Sequence, residues 1–115
     1  MNTSNSKKTV RPESQSIKMV ATDMDGTLVN SKKELPDNLT PMIETLRRHG
    51  IKFVVASGRQ YYNLLNVFEQ VRDKVVFIAE NGAMIFDGDK NIFCDEIEKA
   101  HLFELYDVIK DIPNA

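Results

Sequence analysis

Of its 115 residues, the chain has a single cysteine, Cys94. One thiol cannot close an internal disulfide, and zinc sites built from several cysteines are excluded with it. No basic side chain or helix start lies beside it to depress its pKa, so it reads as a half-buried apolar filler rather than a nucleophile. A surplus of positive charge is also missing: 15 Lys and Arg stand against 17 Asp and Glu, for a formal net charge of -2. Nucleic-acid surfaces need a basic stripe, so no nucleic-acid partner is expected. Long apolar runs are lacking as well. None approaches the roughly 18 residues of a membrane-spanning helix, and the first residues have no apolar centre of a secretory signal. A cytoplasmic protein without membrane contact is the expectation. Residues 1–16 are nearly devoid of apolar side chains and cannot offset the entropy of ordering, so they read as a disordered tail.

What is present is a regular alternation of apolar patterns. With 42% hydrophobic and 28% charged residues, the chain suits a single core. Ile17-Lys18-Met19-Val20-Ala21 reads as a buried strand. After a polar loop, Leu39, Met42, Ile43 and Leu46 recur at helical spacing, capped at Asp37 or Thr40 and stopped by Gly50. Ile51 to Ala56 is a second buried strand, Tyr61, Leu64, Leu65 and Phe68 form the stripe of a second helix, and Val75 to Ala79 is a third strand. Two short apolar stretches, Ala83 to Phe86 and Asn91 to Cys94, flank a turn and predict a hairpin. A last helix over Glu98 to Ile112 carries Leu102, Leu105, Tyr106, Ile109 and Ile112 on one side, and Pro113 ends it. Strands alternating with helices predict an α/β fold, an open, Rossmann-like parallel sheet with right-handed crossovers.

The chemistry gathers where these strands end. Asp23 and Asp25 leave the first strand two residues apart, so both carboxylates face one side while Met24 turns to the core. Ligands of open parallel sheets bind beyond the carboxyl ends of the strands, where Ser57 and Asn81 also fall. Asp23 is the candidate nucleophile toward a phosphoryl group. Asp23 and Asp25 are candidate Mg²⁺ ligands, since that hard cation prefers oxygen donors and separates an anionic carboxylate from an anionic phosphate. Asp25 is the candidate acid and base, and its backbone carbonyl can add to the metal shell. Gly26 permits a tight path, and Thr27 fixes the loop by hydrogen bonding. Ser57 and Gly58, at a strand-to-helix junction, are candidate phosphate binders. Arg59 reads equally as an anion contact or as half of an ion pair. Asn81-Gly82 reads first as a turn and then as a substrate contact.

These segments resemble the haloacid dehalogenase superfamily of phosphatases, in particular the Cof-type branch with a large α/β cap. Thr22-Asp23-Met24-Asp25-Gly26-Thr27-Leu28 resembles its first motif, Val55-Ala56-Ser57-Gly58-Arg59 its second, and Glu80-Asn81-Gly82-Ala83 a stretch typical of the branch. The resemblance implies a Mg²⁺-dependent phosphomonoesterase acting on small phosphorylated metabolites. An aspartyl-phosphate would form on Asp23, with Asp25 as acid and base, Ser57 and Thr27 at the phosphoryl group, and no nucleic acid or membrane partner. It also implies a division into a partial core over residues 17–82 and a hairpin plus the start of a cap over 83–115.

Two elements of the family pattern are missing: the third-motif lysine and the fourth-motif acids. Lys74, Lys90, Lys99 and Lys110 do not end a further core strand and are poor substitutes. The expectation is therefore an N-terminal portion of such a phosphatase, completed by a C-terminal chain or self-associating through exposed apolar surface, above all on the last helix. Two alternatives stay open. One is an inactive remnant that binds Mg²⁺ and phosphate; the other is a receiver-like signalling domain, which needs an Asp at the end of a later strand.

Overall fold

The computed structural model describes residues 16–114, so all but Ser16 of the expected tail lies outside the described residues. Five strands and three helices follow in the order β1 (Met19–Asp23), α1 (Leu39–Arg48), β2 (Lys52–Ala56), α2 (Tyr61–Val67), β3 (Val75–Ala79), β4 (Met84–Asp87), β5 (Lys90–Cys94) and α3 (Lys99–Ile109). Single 3₁₀ turns at Arg72–Lys74 and Glu80–Gly82 bracket β3. The strands form one sheet in chain order. β1, β2 and β3 pair in parallel through the helical crossovers, as the alternating pattern requires. The expected hairpin then continues the sheet antiparallel from β3, making it mixed rather than wholly parallel. Gly88 opens the two-residue hairpin loop with a φ of +62°, which glycine adopts without a Cβ clash.

The core lies where α1 and α2 cover β2 and β3. Phe53, Val55, Val75 and Phe77 from the sheet meet Ile43, Leu64 and Phe68 from the helices, all at most 3% exposed. Helix α1 starts from Asn38, not Asp37 or Thr40, and no side-chain cap bond is made there. Pro41 is then the third helical residue, where an amide would have no intrahelical partner and a proline is tolerated. The end matches expectation in detail: Ile51 N–H donates to the Leu46 carbonyl and Gly50 N–H to that of Arg47, both at 2.9 Å, with Gly50 at φ +69°. This is a complete Schellman stop, and it delivers the chain into β2 two residues later. Helix α2 is short but strongly anchored. Tyr61 stacks on Phe86 with ring centroids 3.6 Å apart, and its buried hydroxyl donates to the Gly88 carbonyl at 2.8 Å, tying α2 to the hairpin.

Three further expectations need correction. β1 is not buried: it is an edge strand with Met19 55% and Val20 37% exposed, because among the described residues nothing pairs with its outer edge or covers it. Met42, expected in the α1 stripe, is on its rim and exposed, while Leu39 and Ile43 carry the contact. Cys94 is exposed rather than half-buried. Partial desolvation and the neighbouring Glu96, whose carboxylate accepts the thiol hydrogen at 3.6 Å, push its pKa up, which disfavours the thiolate. The expected exposure of the last helix holds, with every residue of α3 exposed, including Leu102, Leu105, Tyr106 and Ile109; its end does not, since the helix stops at Ile109 rather than running to Ile112 before Pro113. No helix among the described residues is long and apolar enough to cross a membrane.

Candidate active site

Parallel register sets the geometry of the site. Asp23 lies opposite Ala56, and Ala56 lies opposite Ile78, so the three strands end side by side. Ser57 is the next residue after β2, and Glu80–Gly82 directly follows β3. Asp23, Ser57 and Asn81 therefore share one edge of the sheet, with strands roughly 5 Å apart.

The acidic pair alternates as its spacing predicts. Met24 is 1% exposed and packed in the core, while Asp23 and Asp25 on either side are exposed. The Met24 carbonyl accepts from the amides of Thr27, Leu28 and Val29 at 3.4, 3.0 and 2.9 Å, curling the chain tightly around it. That curl takes Gly26 to φ +79°, a left-handed conformation that explains glycine here without any close neighbour. Thr27 joins the loop through its amide and stays exposed. Asp23 Oδ1 accepts the Met24 amide at 2.9 Å, orienting the carboxylate; among the described residues its other oxygen has no hydrogen-bond partner.

Ser57 is held by its amide, which donates to the Ile78 carbonyl at 2.9 Å. Its Oγ accepts the Arg59 amide at 3.0 Å, so the hydroxyl proton remains available for an anion. Helix α2 begins only at Tyr61, so Ser57, Gly58 and Arg59 form a loop ahead of the helix rather than its first turn.

Arg59 resolves into the ion pair, and its partner is a site residue. Its Nη2 donates to Asp25 Oδ1 at 2.7 Å and its Nε to Oδ2 at 3.3 Å, a two-pronged contact that joins the β1 and β2 loops. Asn63 Oδ1 accepts from Nη1 at 3.2 Å, and Lys33 Nζ lies 3.6 Å from Asp25 Oδ1. The Arg59 hydrogen bond holds the Asp25 carboxyl below its ordinary 3.8; slight desolvation opposes this, and the Arg59 and Lys33 charges reinforce it. Lys33 was not foreseen from sequence, since a lysine in a polar loop carries no signal of where that loop folds.

Oxygen donors of this kind suit Mg²⁺, but the set is incomplete. The described residues contain no group of three or more His, Cys, Asp or Glu able to hold a metal. Among the described residues one Asp23 carboxylate oxygen has no partner, whereas the Asp25 carboxylate is committed to Arg59. Of the lysines weighed as substitutes, Lys74 pairs with Glu44 and Lys110 with Asp107 at 3.2 Å, so neither is directed at the acidic pair; the ammonium that does reach it is that of Lys33.

The 3₁₀ turn after β3 is the least ordinary backbone of the site. Glu80, Asn81 and Gly82 take φ of +50°, +58° and +99° in succession. Glu80 N–H donates to the Arg59 carbonyl at 3.0 Å and Asn81 N–H to the Ser57 carbonyl at 3.2 Å, so the turn sits on the Ser57–Arg59 loop.

A family profile described as haloacid dehalogenase-like hydrolase matches residues 20–114. The chain is 38% identical over 85 residues to 5-amino-6-(5-phospho-D-ribitylamino)uracil phosphatase YbjI of Escherichia coli, covering 73% of this chain and 31% of that protein. It is 32% identical over 90 residues to phosphatase YwpJ of Bacillus subtilis, covering 77% of this chain and 32% of the relative. Among solved structures, a haloacid dehalogenase-like hydrolase from B. subtilis superposes with a TM-score of 0.68 at 29% identity, over 82% of this chain and 33% of that one. The chain thus spans about a third of the length of these relatives. The matches bear out the resemblance read from the three motifs, its Cof-type branch included. By profile, sequence and fold together, the chain belongs to the haloacid dehalogenase-like hydrolases.

Proposed function

We propose that this chain carries the nucleophile and phosphate-loop portion of a Mg²⁺-dependent phosphatase that hydrolyses small phosphorylated metabolites in the cytoplasm. The observation that carries the reading is the exposed Asp23 and Asp25 on either side of buried Met24, beside Ser57 just beyond the end of the next strand. An Asp23 oxygen attacks phosphorus, and the bond to the leaving oxygen breaks as that oxygen takes a proton from Asp25. Asp25 then takes a proton from water, whose oxygen attacks the aspartyl-phosphate, freeing phosphate and restoring Asp23. Ser57 Oγ–H and the Gly58 amide hold the phosphoryl oxygens, with the Thr27 hydroxyl beside them. Mg²⁺, held by Asp23 with further oxygen donors, would supply the positive charge that lets two anions approach. The Arg59 contact favours ionised Asp25, the form the water step needs. A phosphoryl group offers Arg59 other oxygens and so frees Asp25 to carry the proton of the first step.

The remaining donors and a neutralising lysine belong, in this reading, to a C-terminal portion that completes the site and covers β1 and α3. Residues 17–82 are then core, and 83–115 the hairpin and the opening of a cap. The incomplete metal donor set favours a second reading, an inactive remnant that binds Mg²⁺ and phosphate without turnover. The receiver reading loses support because β2 and β3 both end on alanine. The test is phosphate release from p-nitrophenyl phosphate with Mg²⁺. Release abolished by Asp23→Asn supports the phosphatase reading; phosphate binding without release supports the remnant; neither binding nor release overturns both.

A further inference from the structure

Gly58 does not owe its identity to its backbone angles, since it is absent from the left-handed residues that include Gly26, Gly50, Gly82 and Gly88. The reason is space. A Cβ built on Gly58 would lie 2.9 Å from Asn81 Oδ1, closer than such atoms approach, and 3.4 Å from its Nδ2, a tight contact, so the Asn81 amide would have to shift to admit it. The Asn81 side chain therefore lies directly over the main chain of Gly58, the middle residue of the phosphate loop.

Asn81 reaches that position at a conformational cost. Its φ of +58° follows Glu80 at +50°, and two consecutive left-handed residues that are not glycine persist only where their surroundings hold them. The Ser57 and Arg59 carbonyls provide that hold by accepting the two turn amides on either side of Gly58. Asparagine tolerates this conformation better than most residues, but a plain turn would be served better by glycine. What asparagine adds is the amide against Gly58.

We propose that Asn81 is a positioning residue for phosphoryl binding: its amide packs on Gly58 and braces the Ser57–Arg59 loop, aiming the Ser57 hydroxyl and the Arg59 guanidinium at the acidic pair. Glycine at 58 and asparagine at 81 are then a matched pair, each defining what the other can be. The inference rests on the proposed phosphatase reading for its ligand, though not for its packing.

A double-mutant cycle tests it. Inorganic phosphate is titrated into the Mg²⁺-loaded chain while the Gly58 and Ser57 amide resonances are followed, and thermal unfolding is recorded for each variant. Asn81→Gly keeps the left-handed turn, so its Tm should stay within a few degrees of the parent, while phosphate affinity falls about 3- to 10-fold through the unbraced loop. Gly58→Ala in the parent should lower phosphate affinity at least 10-fold and reduce the Tm, because the new methyl meets Asn81. In the Asn81→Gly background the same Gly58→Ala change should cost less than 2-fold and leave the Tm unmoved. Equal effects of Gly58→Ala in both backgrounds, or parental affinity in Asn81→Gly, would overturn the proposal. Should the parent bind no phosphate, the phosphatase reading fails. The Tm cycle then decides the bracing alone: coupling between the two positions sustains it and additivity sinks it.

Discussion

Removing one oxygen atom from Tyr61 gives a sharp test of how α2 and the Ser57–Arg59 loop ahead of it are anchored to the hairpin. Tyr61 stands two residues beyond Arg59, is 4% exposed, stacks on Phe86 at an interplanar angle of 8°, and meets Phe77 edge-on at 6.0 Å. Tyr61→Phe retains every ring contact and deletes only the hydroxyl that donates to Gly88 at 2.8 Å. Gly88 is itself buried, so its carbonyl would lose a partner away from water, which costs about 1–3 kcal/mol. Taking about 1.5 kcal/mol and a urea slope near 1 kcal/mol/M, the unfolding midpoint should fall by about 1.5 M with the slope unchanged. Tyr61→Ala, which also removes the ring, should cost about 3–5 kcal/mol. The assay is equilibrium urea unfolding followed by far-UV circular dichroism. A Tyr61→Phe midpoint within about 0.3 M of the parent would refute the reasoning, because it would mean that the hydroxyl and the Gly88 carbonyl are equally well served by solvent. The Tyr61 pKa is raised, chiefly by burial, so an ultraviolet titration should show one of the three tyrosines ionising later than the others until the fold opens.

Other outcomes follow from the same structure. The Asp25 carboxyl, held down mainly by Arg59, should titrate below 3.8 in a carboxyl-carbon NMR experiment, and Arg59→Gln should move its midpoint back up. Since its folded pKa is depressed, its contribution to stability is present above the unfolded value and lost as pH falls through the folded one, so Arg59→Gln should flatten the acid limb of a stability–pH curve. Gly50→Ala places a Cβ at φ +69° in the α1 stop and should destabilise by about 1 kcal/mol, read as a lower urea midpoint. The exposed apolar residues of α3 and β1 should drive concentration-dependent association; Leu105→Glu with Ile109→Glu should lower the mass seen in sedimentation velocity, and an unchanged mass would clear α3 of that role.

Much of the fold could be read from local pattern because local physics determines it. Val75–Ala79 was delimited to the residue, since β-branched and aromatic side chains pack between helix and neighbouring strands there. Gly50 was legible as a stop because the left-handed residue of a Schellman motif is almost always glycine. The outward acids around Met24 followed from the two-residue repeat of extended chain. Three features were hidden. The Arg59–Asp25 contact joins loops 34 residues apart, and no local signal says which carboxylate a guanidinium will reach. Asn81-Gly82 announced a turn, but nothing announced that Glu80 would also be left-handed or that the Asn81 amide would fill the space over Gly58. The exposure of β1 contradicts its apolar composition, because composition records that a strand wants covering, not what supplies the cover.

Met24 contributes no chemistry, yet the geometry of the acids depends on it. Were β1 to slide by a single residue along β2, Asp23 and Asp25 would rotate inward and a thioether would take the outward place between them. The outer edge of β1, which pairs with nothing among the described residues, does little to prevent such slippage; what resists it is the anchoring of Met24, whose side chain is locked inside and whose carbonyl gathers three amides. Methionine 24 is thus a registration pin, and a polar replacement there would misalign the acids while leaving every acidic residue in place.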